Sequence, residues 1–161
     1  MSLVLNRIDD RLIHGQVVVG WGQPLGVDFI LLVDDEVATS EWEQELYRMG
    51  VPPDMEVHFL SVGDALARLP EYQADARQGI LLTGDIDTMR RLVNGGGIQS
   101  VNLGGIHHRA GRTQRLRYVF LNNDEENALR ELATRGVAVS AQDVPGARPI
   151  PLDDLLAGVA S

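Results

Sequence analysis

Arg7-Ile8-Asp9-Asp10-Arg11-Leu12-Ile13-His14-Gly15-Gln16-Val17 follows a short apolar run, Leu3-Val4-Leu5. Leu3 to Ile8 reads as a first strand, and the segment from Gln16 to Trp21 as a turn into a helix, although it is β-branched and carries glycine. A histidine, two arginines and two aspartates then stand at the carboxyl end of that strand. In an open α/β sheet, ligands and chemistry gather at this edge. Histidine is a nucleophile or proton carrier near neutral pH. Arginine is a planar clamp for a phosphoryl group. Gly15 lets a bulky partner approach the histidine closely. The loop reads as one built to hold a phosphate on or beside His14.

Outward from this loop, apolar runs alternate with helix-like segments, the pattern of βαβ units. Phe29-Ile30-Leu31-Leu32-Val33 is continuously apolar, as a strand buried on both faces must be. Val57–Leu60, Gly79–Thr83, Ile98–Leu103, Tyr118–Leu121 and Val137–Ala141 complete seven strands. Ser61 caps a helix through Val62, Ala65, Leu66 and Leu69 that Pro70 stops. Asp85 caps a second, through Ile86, Met89, Leu92 and Val93, ended by Gly95. Asn123 with Glu126 forms a capping box for a third, which runs to Gly136. Trp42, Leu46 and Met49 mark a helix ending at Gly50. Pro145 to Pro151 leads into a last short helix. The expected fold is one α/β domain over residues 1–161, an open, mostly parallel sheet with helices on both faces.

The 161 residues suffice for a real core. No apolar run approaches the ~20 residues of a membrane helix, and the start lacks the pattern of a secretory signal. There are no cysteines, so disulfide and thiolate chemistry are excluded. A cytoplasmic location is the expectation. The net charge of −9 disfavours nucleic acid and anionic membrane surfaces as partners. All 14 basic residues are arginine, which excludes lysine-based chemistry.

Several residues admit more than one reading. His14 is a phosphoryl carrier or a loop histidine that caps a helix. Arg11 neutralises phosphoryl oxygens, while Asp10 fixes Arg11 or shapes the loop. Arg7 and Asp9, on one face of a strand, form a structural ion pair or belong to the site. Asn102-Leu103-Gly104-Gly105 closes the fifth strand, either as a tight turn or as a run of N–H groups lining an anion site. Asp34-Asp35 reads as a carboxylate pair at a helix N-terminus. His107 and His108 point to opposite sides of an extended segment and do not chelate together; with Arg109 and Arg112 they form a solvated loop at the rim. His58 reads as a core or edge residue. No metal or other cofactor is called for.

The opening motif closely resembles the active-site loop of the IIB subunit of the mannose/fructose/sorbose-type sugar phosphotransferase system. The resemblance continues through Leu32–Ala38, Val101–Ile106, Gly111–Gln114 and Leu132–Val137, in family order, across nearly the whole chain. It implies a phosphoryl carrier that takes phosphate from a phosphohistidine of a IIA partner onto Nδ1 of His14. The acceptor is a sugar arriving through the membrane subunits IIC and IID. Because the motif begins at the amino terminus, a separate IIA is expected. Catalysis then falls to His14 and Arg11, with Asp10, Gly15, Asn102, Gly104 and Gly105 binding phosphate or supporting. Thr83-Gly84-Asp85 and His107-His108 depart from the family pattern and leave the sugar open. They also leave room for a regulatory phosphorelay or a non-catalytic phospho-ligand module. Aliphatic helix faces leave room for a homo-oligomer.

Overall fold

Strand β2 (Phe29–Val33) is buried at every position. Phe29, Leu31 and Val33 enter one apolar core, and Ile30 and Leu32 enter the other, because alternate strand residues face opposite sides. The computed structural model describes residues 2–157. The remaining strands of the main sheet are β1 (Leu3–Ile8), β3 (Glu56–Leu60), β4 (Gly79–Thr83), β5 (Ser100–Leu103), β8 (Ala138–Ala141) and β9 (Ile150–Pro151). Their order is β3-β2-β4-β1-β5-β8-β9. All neighbours are parallel except the last pair.

Helices cover both faces. One face carries α2 (Val62–Gln73), α3 (Ile86–Asn94), α4 (Asn123–Thr134) and α5 (Leu152–Leu156). The other carries α1 (Glu41–Met49) and a π-helical segment over Gln16–Gly22, whose Val17, Val18 and Trp21 are buried. Ser61 and Asp85 accept the backbone N–H of Asp64 and Thr88, capping α2 and α3 as expected. The chain leaves β1 toward β2 and leaves β5 toward β8, on opposite sides. The switch point of the sheet therefore lies between β1 and β5, which pair directly through Arg7–Asn102 and Ile8–Leu103.

Three local expectations are corrected. The capping box is Asn122 with Glu125, one residue earlier than read from the sequence. Pro70 lies inside α2, which runs one more turn to Gln73. A proline disturbs the turn before it, and Ala74 N–H still reaches the Pro70 carbonyl. Val119–Leu121 (β7) is not in the main sheet. It pairs antiparallel with Thr113–Leu116 (β6), since the place beside β5 is taken by β8. The seventh member of the sheet is the two-residue β9. The stripe of Trp42, Leu46 and Met49 forms the expected helix ending at Gly50, and it faces solvent.

Candidate active site

The loop after β1 turns sharply. Leu12 N–H donates to the Asp9 carbonyl at 3.0 Å, and Leu12 takes a left-handed φ of 59°. That conformation costs a non-glycine residue about 1–2 kcal/mol. Burial of the Leu12 side chain in the second core holds the turn in place. His14 follows, one-fifth exposed, immediately before the π-helical segment. Gly15 has ordinary helical dihedrals, and a Cβ there would meet nothing within 4 Å. The backbone does not require glycine at this position; its absence of a side chain leaves open space beside His14.

Asp9 is the hub. It is fully buried, and its carboxylate accepts from Arg11 N–H at 3.1 Å, Arg11 Nε at 3.1 Å and Arg11 Nη2 at 3.0 Å. Arg7 Nη2 stands 3.4 Å from Asp9 Oδ2, and His14 Nε2 stands 3.9 Å from the same oxygen. Burial alone pushes the Asp9 carboxyl up, but the Arg11 hydrogen bonds and the charges of Arg7 and His14 outweigh it. The net position is below the ordinary carboxylate range, so Asp9 is an anion. Burial lowers Arg7, against the pull of Asp9. The bond to Asp9 raises Arg11. Arg7 and Asp9 are thus an ion pair and part of the site at once.

Arg7 is fully buried and ties three strand ends together. It donates to the Asn102 side chain, to the Gln142 carbonyl at 2.9 Å and to the Asp143 carbonyl at 3.2 Å. Its guanidinium lies 4.8 Å from the Trp21 ring centre. Gln16 bridges Arg11 to Asp143, reaching Asp143 Oδ1 at 2.9 Å. Asn102 is engaged by Arg7 and faces away from open solvent, which suits support rather than direct phosphate contact.

The β5 loop closes the other side. Gly104 N–H donates to the Ile8 carbonyl at 2.7 Å, and Asp10 N–H donates to the Gly105 carbonyl at 2.8 Å. The Gly104 N–H is therefore not free to bind an anion, which leaves the tight-turn reading for this residue. Glycine is required at 104 by close approach: a Cβ there would press into the Arg7 guanidinium and lie 2.7 Å from Asp9 Oδ2. At Gly105 a Cβ would stand 3.3 Å from Arg11 Nε, Asp9 Oδ1 and His107 Cε1, so these three side chains converge on that peptide.

Asp10 does not fix Arg11. Its carboxylate accepts from His107 N–H at 2.7 Å and from His107 Nδ1 at 2.6 Å, joining the two loops. Arg112 is not solvated: it forks onto Glu125 at 2.9 and 2.7 Å and donates to the His107 carbonyl. The β6–β7 hairpin backs this turn through Ile106, whose N–H donates to the Tyr118 carbonyl. His108 packs edge-on to Phe120, 5.6 Å between centroids. His58 lies on edge strand β3 beside Glu56. Asp34 accepts from the N–H groups of Glu36 and Val37, and Asp35 accepts from that of Val62; both act as caps.

His14 Nδ1 lies 2.8 Å from the Leu12 carbonyl. A carbonyl only accepts, so Nδ1 carries the proton. Nε2 is buried without a hydrogen-bond partner among the described residues. Also among the described residues, no three His, Asp or Glu side chains gather as a metal site. A cavity of about 790 Å³ opens behind Asp143, lined in part by Leu116, Arg117, Tyr118, Val144 and Ile150. Asp143, on its wall, is the residue that Gln16 reaches from the His14 loop.

Gln16, Gln142 and Asp143 were not picked out as site residues by sequence, and His107 only as part of a rim loop. Gln142-Asp143 ends a parallel strand beside β5, so the strand-end rule that selected His14 also points to them.

Fold and cleft define a doubly wound α/β domain whose histidine, anchored by buried charge, sits at the switch point of the sheet. Residues 3–160 match the family model for the sorbose subfamily IIB component of the phosphotransferase system (PTS). The chain is 35% identical over 146 residues to the PTS system sorbose-specific EIIB component of Klebsiella pneumoniae, covering 89% of this chain and 88% of that one. It is 33% identical over 161 residues to the mannose-specific EIIAB component of Escherichia coli, covering 99% of this chain and half of that longer protein. The crystal structure of the IIBSor domain of the sorbose permease from Klebsiella pneumoniae superposes with a TM-score of 0.88, at 31% identity, over 98% of this chain and 97% of that one. The chain belongs to the sorbose subfamily of PTS IIB components. It is a phosphotransferase in the general sense of that family. No helix among the described residues is long and apolar enough to cross a membrane.

Proposed function

We propose that this protein carries a phosphoryl group on His14, received from a phosphohistidine of a IIA donor and delivered to a sugar hydroxyl at membrane subunits IIC and IID. The observation that carries the reading is the buried Asp9 carboxylate, which orients Arg11 beside His14 at the switch point. Phosphoryl transfer asks chiefly for positioning and for charge to meet the equatorial oxygens. Arg11 keeps Nε and Nη2 on Asp9 and Gln16. An arginine has five N–H donors, so the Nη1 edge is left for the phosphoryl group. Val17 and Val18 N–H, at the start of the helical segment behind His14, are spent on the His14 carbonyl at 3.1 and 3.0 Å, so the charge that meets the phosphoryl oxygens is that of Arg11.

Transfer onto Nδ1 needs one change in the ring. Nδ1 must leave the Leu12 carbonyl and lose its proton, giving up a hydrogen bond that contributes about 1 kcal/mol. Asp9, 3.9 Å from Nε2, receives the proton-bearing Nε2 of the other tautomer. The protein works in the cytoplasm, at the inner face of the membrane through its partners. The sugar is set by those partners.

The test uses phosphorylated IIA as donor. Wild-type protein should gain one acid-labile phosphoryl group, and His14→Ala should fold normally and gain none. Equal labelling of both proteins would overturn the assignment.

A further inference from the structure

Helix α1 buries none of its residues. Trp42, Leu46 and Met49 recur at the spacing of a single helical stripe, and they are 69%, 56% and 83% exposed. Inside, the helix is held by half-buried Tyr47 and by Gln44, whose amide donates to the Val37 and Ala38 carbonyls. An apolar stripe turned outward on a helix held by polar contacts is a surface made for something else.

Charge selects what that is. Between residues 34 and 54 there are seven carboxylates, at Asp34, Asp35, Glu36, Glu41, Glu43, Glu45 and Asp54, against one arginine, Arg48. Among the described residues, only Asp35 of these reaches an arginine from elsewhere, Arg91 at 3.2 Å. Two-thirds of the net charge of −9 thus surrounds one helix. An anionic bilayer is repelled by such a patch. A second copy of this chain would bring carboxylates against carboxylates. The fitting partner is a basic, apolar-studded protein segment. Beside Trp42, a depression lined by Thr39, Ser40, Glu41 and Glu45 suits a lysine or arginine seated over the indole.

We propose that the α1 stripe docks the cytoplasmic face of the membrane-embedded subunits. Cytoplasmic loops of membrane proteins carry an excess of Lys and Arg, which supplies a general reason for a basic surface there. The placement also serves transfer. Helix α1 follows the carboxyl end of β2, the same edge as His14, and β2 is two strands from β1. That is a lateral offset of about 10 Å at ordinary strand spacing. One partner surface spans both, gripping α1 while its substrate site faces His14. This inference rests on the carrier reading above.

The chain has two tryptophans, and Trp21 is buried, so Trp42 reports on this surface. Inverted vesicles bearing IIC and IID should shield Trp42 from acrylamide quenching, and vesicles of phosphatidylglycerol alone should not. Trp42→Ala and the pair Glu41→Lys with Glu45→Lys should each raise the carrier's KM in vesicle-dependent sugar phosphorylation by about thirtyfold, the loss typical of an aromatic anchor. Labelling of His14 by phospho-IIA should stay within about twofold, because exposed substitutions leave the fold intact. Sugar phosphorylation by the variants at wild-type KM overturns the inference and leaves the carrier reading standing. So does shielding by lipid alone, a dimer that these variants dissociate, or a matching loss of labelling by IIA. Wild-type protein that takes no phosphate removes the carrier reading, and this inference with it.

Discussion

Replacing Asp9 with Asn removes one charge and almost no volume. In the native protein that carboxylate faces the fully buried Arg7 at 3.4 Å and holds Arg11 through three hydrogen bonds. Removing one partner of a buried ion pair costs about 3–5 kcal/mol, because the remaining charge is left uncompensated. The amide oxygen of Asn keeps one acceptor, and Arg7 keeps the Asn102 side chain and two backbone carbonyls, so about 3 kcal/mol is expected. For a domain of this size that lowers Tm by roughly 6–12 °C. The pH dependence follows from the sign of the shift. Asp9 lies below its unfolded value, so its contribution is full above about pH 4 and is lost as pH falls through the folded value. Differential scanning calorimetry should show the gap between wild type and Asp9→Asn widest at neutral pH and closing on acidification. Phosphate uptake from IIA should also slow by about a hundredfold, the low end of losing an electrostatic contact. A Tm change under about 2 °C, with normal uptake, would refute Asp9 as the hub.

Arg11→Lys keeps the charge but loses the fork on Asp9; stopped-flow transfer from phospho-IIA should slow by about one to three orders of magnitude, with little change in Tm. Gly104→Ala forces a Cβ into Arg7 and Asp9; denaturant unfolding should show a loss of about 1–3 kcal/mol, whereas Gly15→Ala, which meets nothing, should show almost none. His107→Ala releases Asp10 at the rim; since His107 is more than half exposed, transfer should slow by no more than about fivefold and stability should barely move.

The strongly patterned parts of this chain were legible before the structure. A strand buried on both faces has no choice but continuous apolar residues, so β2 and β4 stood out, and Ser61 and Asp85 announced their helices. The parts that were not legible depend on partners distant in sequence. Thr113-Gln114-Arg115-Leu116 has no apolar run to mark it; it becomes a strand only because Val119–Leu121 folds back on it and Ile106 pairs along the hairpin. Trp42, Leu46 and Met49 fix a helix by spacing, but spacing does not say which side of the helix meets the core. In the cleft, the strand-end rule selected His14 and the Asn102–Gly105 turn. It did not assign Asp9 to Arg11 or Asp10 to His107, because that choice is made by the Leu12 turn and by the depth of Arg7. Arg7 was legible as the partner of Asp9, but its depth was not, because its burial requires the carbonyls of Gln142 and Asp143, some 135 residues away.

The central claim is a single phosphoryl group on His14, held between the loops after β1 and β5. Nitrogen NMR of the four imidazoles, with amide spectra before and after transfer from phospho-IIA, tests it most directly. Before transfer His14 should show its proton on Nδ1; afterwards that nitrogen should carry the phosphoryl group, and the amides of residues 102–108 should shift together with those of residues 9–18. A phosphoryl signal on His58, His107 or His108, or shifts that leave residues 102–108 untouched, would contradict the account.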